Sequence, residues 1–226
     1  MITSRHNEKL RLVRKLADRR WRDKLGLFAA AGEDLLEAAH GAGIEPVELL
    51  VAGETVEASL LAELSELPHP PRAIGVFRRS DLASGPGEGT GLALWRVADP
   101  GNVGTLVRAA DALGPAFVAL SPWCADPTGP KAVRASAGAV FRVPTCAFDE
   151  APAPRLALVP RGGTPLRELA LDGPVTFVLG AEREGLPPEV LATCAGRATI
   201  PQAPAAESLN VAMAGTIALY ERRQRT

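Results

Sequence analysis

The fold is decided by residues 200–220, which read IPQAPAAESLNVAMAGTIALY. The first half is rich in Ala and Pro and predicts a loop, whereas the second half predicts a helix. Its apolar face repeats at helical spacing through Leu209, Ala212, Met213, Thr216, Ile217 and Tyr220. Glu207 or Ser208 is the expected N-cap, because a side-chain oxygen there can accept a free first-turn N–H. The many small residues predict that this helix packs closely, either in a core or on a partner chain.

The whole chain has 226 residues, of which 46% are hydrophobic, so it can bury a sizeable core as one large or two small domains. It contains no run of 18 uncharged apolar residues, and its first residues lack an apolar leader segment. We therefore expect no membrane span, no signal peptide and a cytoplasmic location. Three Cys and three His are scattered along the chain, so we expect neither a metal site nor disulfides.

Charge is unevenly distributed although the net charge is only −1. Residues 1–24 contain nine Lys or Arg and three acids, whereas residues 25–71 contain nine acids and no Lys or Arg. A basic segment of this kind is a candidate contact for RNA phosphates, because each neutralised phosphate releases counterions. The candidate RNA-binding residues are Arg5, Lys9, Arg11, Arg14 and Lys15. The charge pattern alone equally allows a solvated helix face.

Helices and strands are expected to alternate along the chain. Helices are predicted at residues 5–24, 33–40, 57–67, 103–113, 132–140 and 187–192, with a helical turn at 165–170. Strands are predicted at residues 28–31, 46–51, 73–77, 92–97, 116–120, 141–144, 156–159, 175–179 and 198–200. This alternation predicts an α/β protein with a mostly parallel sheet covered on both faces.

The clearest break in the sequence is the glycine-rich segment 83–91, ASGPGEGTG. It cannot support a helix or a central strand, and no helix or GKS/GKT motif follows it, so a linker is favoured over a phosphate loop. We therefore predict a small α/β domain at 1–82, a linker at 83–91 and a second domain at 92–226. Because ligands bind beyond the carboxyl ends of parallel strands, the loops after Val97, Leu179 and Ile200 are the candidate site.

Each of these three loops also has a purely structural interpretation. In the first, Asn102 can cap a helix, and Arg108 lies off the apolar stripe and could simply be solvated. In the second, an apolar strand runs into Gly180, where backbone can approach a ligand closely, or where the chain merely turns. In the third, the strand end at Ile200 leads to Leu209 and the first-turn amides.

Four successive motifs carry a family resemblance: DPGNVGTLVRAADALG, KAVRASAGAVFRVP, VLGAEREGL and IPQAPAAESLNVAMAGTIALYERRQ. In order and spacing they resemble the SpoU (TrmH) family of SPOUT methyltransferases, which use S-adenosyl-L-methionine to methylate a ribose 2′-hydroxyl in rRNA or tRNA. The resemblance covers residues 92–224. It implies an α/β fold with a deep trefoil knot and a homodimer formed through the knot domain. Residues 1–82 resemble, more weakly, the L30e-like RNA-binding domain that precedes many members.

The resemblance also implies roles for individual residues. Gly180, Ile200 and Leu209 match the positions that hold the cofactor. Arg108 matches the arginine proposed to activate the 2′-hydroxyl, and it could do so by taking the proton or by stabilising the developing oxyanion. The polar residues of the catalytic centre match Asn102, Glu182, Ser208 and Asn210.

Several functions remain open at this point. The separate basic N-terminal domain resembles that of members that act on rRNA, and this resemblance favours rRNA, most simply 23S rRNA, over tRNA as the substrate. A non-catalytic RNA-binding or ribosome-assembly protein on the same fold would lack cofactor binding, and the intact Gly180, Ile200 and Leu209 set favours the enzyme. A nucleotide-binding oxidoreductase is disfavoured because no GxGxxG follows the first strand.

Overall fold

The computed structural model describes residues 1–64, 70–87 and 89–225, and it contains two β-sheets. The N-terminal part contains α1 Glu8–Leu16, α2 Arg19–Leu25, β1 Leu27–Ala31, α3 Glu33–Gly41, β2 Glu48–Val51, α4 Ala58–Ala62 and β3 Ala73–Arg78. Its three strands form an antiparallel sheet in the order β1-β3-β2. Helix α1 buries Leu10, Val13 and Leu16, so the predicted amphipathic pattern is confirmed.

The C-terminal part carries the larger sheet. Its elements are β4 Thr90–Leu94, α5 Pro100–Leu113, β5 Ala116–Leu120, α6 Pro130–Ser136, β6 Thr145–Ala147, β7 Arg155–Leu158, β8 Thr164–Pro165, β9 Thr176–Leu179, α7 Pro188–Leu191, β10 Gly196–Thr199 and α8 Val211–Arg223. The seven strands have the order β6-β5-β4-β9-β7-β10-β8, and every pairing between them is parallel. The predicted α/β class and parallel sheet are therefore confirmed.

Several predicted boundaries are wrong. The basic segment 5–24 is two helices, because Asp18 begins a new helix by accepting a hydrogen bond from the Arg20 N–H. Residues 141–144 are not a strand, since the preceding helix ends with Ala137 and Gly138 at positive φ and the chain pairs only from Thr145. Helix α4 ends at Ala62, and the last part of the predicted helix 57–67 lies outside the described residues.

The closing helix packs as its small residues predict. A Cβ built on Gly215 would lie 2.4 Å from Cδ2 of Leu106 in α5, so a larger residue here would require the Leu106 side chain to move. Leu106 belongs to the buried stripe of α5, which is the predicted one: Val103, Leu106, Val107 and Ala110. The two helices cover one face of the sheet and enclose the largest hydrophobic core.

The two parts of the chain share a packed interface. Phe28 and Phe77 of the small sheet contact Phe141 of the C-terminal part, with ring centroids 5.8 and 5.0 Å away. Beside them, Arg22 Nε donates to Asp126 Oδ2 at 2.8 Å, and both side chains are almost fully buried. Residues 83–85 also hydrogen-bond to Thr145. The domain boundary at 83–91 stays a prediction: Ser84 bridges Thr145 of the edge strand β6, whereas Thr90 and Gly91 already belong to β4, which lies between β5 and β9, so the expectation that this segment cannot support a central strand is wrong for its last two residues.

Candidate active site

A cavity of about 800 Å³ opens beyond the carboxyl ends of β7, β9 and β10. Parallel strands all present the same end of their backbones there, which is where α/β sheets bind ligands. Four stretches contribute to its lining: residues 158–160, residues 179–186, residues 200 and 202, and residues 207–211 with 214. The loops that follow Leu179 and Ile200 therefore meet, as the sequence predicts.

The loop after Val97, the first of the three predicted loops, joins this cavity through a short chain of side-chain hydrogen bonds. Asn210 Nδ2 donates to Asn102 Oδ1 at 3.1 Å, and Asn102 Nδ2 donates to Glu182 Oε1 at 2.9 Å. Asn210 Oδ1 meanwhile accepts from the backbone N–H groups of Ala212 and Met213, which fixes which end of its amide faces Asn102. One polar network thus ties together the loops after β4, β9 and β10.

Asn210, rather than Glu207 or Ser208, is the N-cap of α8. The predicted cap is wrong because the chain stays non-helical until Asn210, whose side chain reaches the first-turn amides. Ser208 lies before the cap and lines the cavity together with Leu209.

The predicted cap of α5 is also wrong, since Asp99 caps this helix by accepting from the Asn102 backbone N–H at 2.9 Å. Asp99 Oδ2 accepts from Lys131 Nζ at 3.0 Å, and this hydrogen bond, with those from backbone amides, lowers the pKa of Asp99 below its ordinary value. Because Asp99 caps α5, the Asn102 side chain can instead hydrogen-bond to Glu182 and Asn210 at the rim of the cavity.

Gly180 is required for a reason that the sequence does not reveal. A Cβ at this position would lie 2.3 Å from the backbone carbon and 2.4 Å from the backbone oxygen of Gly185. The turn that brings Gly185 so close is fastened by its N–H, which donates to the Ala181 oxygen at 2.9 Å. The close approach at Gly180 is therefore to the chain's own backbone, while Gly180 also borders the cavity.

Most of the predicted site residues come together. Those that line the cavity are Gly180, Glu182, Ile200, Ser208, Leu209 and Asn210. Asn102 reaches its rim through the hydrogen bonds described above. Arg108 does not line it: it is an exposed residue of α5 that forms no hydrogen bond or ion pair within residues 1–64, 70–87 and 89–225.

Three of the predicted RNA-binding residues form ion pairs. Arg5 and Arg14 approach Glu63 at 3.3 and 3.8 Å, and Lys9 approaches Glu48 at 2.6 Å. These pairs are exposed and therefore hold the side chains only weakly.

The other two predicted RNA-binding residues, Arg11 and Lys15, border a cleft of about 370 Å³ between α1 and α2. Trp21 lies in the same cleft, with Lys15 Nζ 4.6 Å from its ring centroid. A cation beside an aromatic ring is an arrangement that suits nucleic acid.

The sequence prediction missed one wall of the cavity, formed by Leu158, Val159 and Pro160 after β7. The signal available was a predicted strand end followed by Pro and Gly, at the same sheet edge as the other loops. Gln202 also lines the cavity, and its Oε1 is buried and has no hydrogen-bond partner among the described residues. In the described part of the chain, no cluster of His, Cys, Asp or Glu could hold a metal ion.

A parallel sheet with a cavity at its carboxyl edge, bordered by a polar network, defines an α/β protein that binds a small molecule. No helix in the described part of the chain is long and apolar enough to cross a membrane.

Residues 90–220 match the SpoU rRNA Methylase family, and the chain belongs to this family. An uncharacterized tRNA/rRNA methyltransferase of Synechocystis sp. is 31% identical over 99% of this chain and 93% of its own length. The 23S rRNA (guanosine(2553)-2′-O)-methyltransferase RlmP of Bacillus subtilis is 28% identical over 98% of each chain. Among solved structures, an AdoMet-bound rRNA methyltransferase from Sinorhizobium meliloti superposes with a TM-score of 0.86 at 30% identity, covering 99% of this chain and 97% of that one.

Proposed function

We propose that this protein uses S-adenosyl-L-methionine to methylate a ribose 2′-hydroxyl in RNA, with 23S rRNA as the favoured substrate. The observation that carries the proposal is the Asn210–Asn102–Glu182 network at the rim of the cavity. It brings side chains from three separate motifs to one place. Family membership and the 23S rRNA activity in the name of the Bacillus relative support the same reaction. We expect the enzyme to work in the cytoplasm.

The cavity fits the cofactor in size and in chemistry. Its volume of about 800 Å³ lies within the range of small-molecule pockets, about 300–1,000 Å³. Leu179, Ile200 and Leu209 supply apolar walls for an adenine. The buried Oε1 of Gln202 has no partner among the described residues, so it can accept a hydrogen bond from an amino group of the ligand. When bound, the cofactor supplies an electrophilic methyl group on a sulfonium.

The chain's own residues would align the ribose and stabilise charge. A 2′-hydroxyl that attacks a methyl group develops negative charge on its oxygen, which a guanidinium can stabilise. Arg108 is exposed and has no partner among the described residues, so its guanidinium is available to incoming RNA. An arginine holds its proton strongly, so we assign Arg108 to charge stabilisation or phosphate binding. Asn102, Glu182, Ser208 and Asn210 would orient the substrate.

We also propose the architecture that the family resemblance implies. Residues 200–210 leave β10 at one side of β9 and return to α8, which packs on α5, β4 and β9. Arg161, just after β7, donates to the backbone oxygens of Pro204 and Ala206 and holds this segment. These contacts support a trefoil knot threaded by residues near the C-terminus.

Homodimerisation through the knot domain is supported by an apolar face on α8. Met213 and Tyr220 are seven residues apart and lie on one side of the helix, with 61% and 50% of their surfaces exposed. Residues 1–82 would form the RNA-binding domain. Within it, Arg11, Lys15 and Trp21 form the best-suited contact for RNA.

Transfer of a tritiated methyl group to unmodified 23S rRNA and to tRNA tests the function. We expect wild type to label 23S rRNA and Arg108→Ala to lose at least tenfold in rate. Because Arg108 does not line the cavity, the variant should bind S-adenosylhomocysteine normally in isothermal titration. Arg167→Ala is the matched control, since Arg167 is exposed and, among the described residues, pairs only with its neighbour Glu168. Equal labelling by wild type and Arg108→Ala would contradict the assigned role, and absence of S-adenosylhomocysteine binding would contradict the function.

A further inference from the structure

The most unusual feature outside the cavity is the turn that carries Trp123. The indole is 77% exposed, and its residue has a φ of +72°. Cys124 N–H donates to the Ser121 oxygen at 3.3 Å, with Pro122 in the second position, which is the arrangement of a type II β-turn. The third position of such a turn normally holds glycine, because a side chain there is strained. Folding alone would therefore not favour a tryptophan at this position.

The turn itself is firmly held. Ser121 N–H and Cys124 Sγ both donate to the Leu94 oxygen, at 3.0 and 3.2 Å. Ser121 Oγ accepts from the Arg96 N–H at 2.9 Å, and Arg19 Nη1 donates to the Cys124 oxygen at 3.0 Å. The indole thus projects from a rigid base, and a rigid aromatic surface loses little freedom when it binds a partner.

A second strained residue adjoins this turn. Arg96 has a φ of +53°, is exposed, lies with its guanidinium carbon 5.5 Å from the ring centroid of Trp95, and forms no ion pair with any residue that the structure describes. Non-glycine residues at positive φ are few in the described chain, namely Arg96, Trp123 and Ala137, and Arg96 is joined to the turn of Trp123 by its hydrogen bond to Ser121. Strain of this kind concentrates at functional sites, where another requirement outweighs its cost.

The turn lies on the same edge of the sheet as the cavity. It follows the carboxyl end of β5, which pairs in parallel with β4, and β4 pairs with β9, whose end forms the cavity rim. Two strand spacings separate β5 from β9, about 10 Å. A nucleic acid that reaches the cavity would therefore pass within reach of Trp123 and Arg96.

We propose that Trp123 stacks against an unpaired base of the RNA substrate, next to the methylated nucleotide, while Arg96 neutralises the adjoining phosphate. The inference rests on the proposed function and adds a base-binding subsite to it. An exposed indole and an exposed guanidinium on two hydrogen-bonded segments match the stacked base and charged backbone of single-stranded RNA. A role for both side chains in binding RNA would outweigh the strain at their backbones.

Two substitutions test the stacking role. Trp123→Gly removes the indole and suits the positive φ, whereas Trp123→Phe keeps an aromatic ring. Stacking of one base predicts that Trp123→Gly raises the KM for a 23S rRNA transcript about 5- to 150-fold with kcat little changed. Trp123→Phe should stay close to wild type. Trp123→Gly should unfold at the same temperature as wild type or higher, since it relieves strain.

Binding of a labelled 12-nucleotide oligouridylate, measured by anisotropy, separates this subsite from catalysis. Trp123→Gly should weaken binding of the oligouridylate but not of an abasic 12-mer, which has the same phosphates and no bases. Arg96→Gly should reduce the slope of log K against log salt by about 0.7, the value for one phosphate on a single strand.

Unchanged KM and oligouridylate binding in Trp123→Gly would overturn the proposal, as would equal losses for both oligonucleotides. A change in the sedimentation coefficient of Trp123→Gly would also overturn it, by assigning the turn to a contact between subunits. If wild type labels no RNA, the proposed function fails, and the two oligonucleotides still decide whether Trp123 stacks on bases.

Discussion

Asn210 performs two tasks that a pair of substitutions can separate. Its Oδ1 accepts from the N–H groups of Ala212 and Met213 at 2.9 and 3.3 Å and so caps α8. Its Nδ2 donates to Asn102 at 3.1 Å and so continues the network to Glu182. The first task belongs to stability and the second to the proposed active site.

Asn210→Ala removes both tasks. Loss of an N-cap costs about 1 kcal/mol, and loss of an exposed hydrogen bond adds about 0.5 kcal/mol. The free energy of unfolding should therefore fall by about 1.5 kcal/mol, which corresponds to about 3–6 °C in Tm for a chain of this size.

Asn210→Asp removes only the second task. A carboxylate is a good N-cap and favours the positive end of the helix dipole, so stability should stay within about 0.5 kcal/mol of wild type. It cannot donate to Asn102, so Asn102 Oδ1 would face a carboxylate, and turning the Asn102 amide over would place this oxygen against Glu182 instead. We expect methyl transfer to 23S rRNA to fall at least tenfold.

Urea unfolding and tritiated methyl transfer, measured on both variants, test whether the two roles of Asn210 can be separated. Asn210→Ala should lose stability and activity, whereas Asn210→Asp should lose activity alone. Wild-type transfer by Asn210→Asp would refute the role of the network. An Asn210→Asp protein as unstable as Asn210→Ala would refute the separation of the two tasks.

Two further predictions concern Gln202 and Asp126. Gln202→Met should weaken the binding of S-adenosylhomocysteine about fivefold in isothermal titration, because it removes an acceptor for the adenine amino group. An analogue without that amino group should bind both proteins equally, and a fivefold loss of affinity for the analogue as well would contradict the contact. Asp126→Asn should lower the free energy of unfolding by about 3–5 kcal/mol in urea at pH 7, because it leaves the buried Arg22 without its counter-charge. Burial raises the pKa of Asp126, but hydrogen bonds from Thr128 and Arg22 and the charge of Arg79 outweigh it, and the net pKa lies below 3.8. The stabilising effect of the Asp126 carboxylate is thus complete above pH 3.8 and disappears as the pH falls through the lower folded-state pKa. The free energy of unfolding of wild type should therefore fall more than that of Asp126→Asn during acid titration. An equal fall in both proteins would contradict this prediction.

Local sequence patterns predicted much of the fold because they reflect local physics. The buried stripe of α5 and the strand at Ala116–Leu120 follow from side-chain periodicity alone. Alternating strands and helices also predicted the parallel sheet, and hence the edge at which the loops meet. Cap positions were harder to predict, since Glu207, Ser208 and Asn210 can all accept a first-turn N–H. Only the path of the chain before α8 selects Asn210.

For the candidate site, too, some features follow from the sequence and others only from the tertiary structure. By itself the sequence determined the family, the ligand edge and the residue types at the rim, because these depend on motif order and on the chemistry of each side chain. The tertiary structure alone decided which partners meet: that Gly180 lies against Gly185, that Asn102 bridges Glu182 and Asn210, and that Arg108 stays outside the cavity. These contacts join residues up to 108 positions apart, and no local pattern encodes distances between segments that only packing brings together.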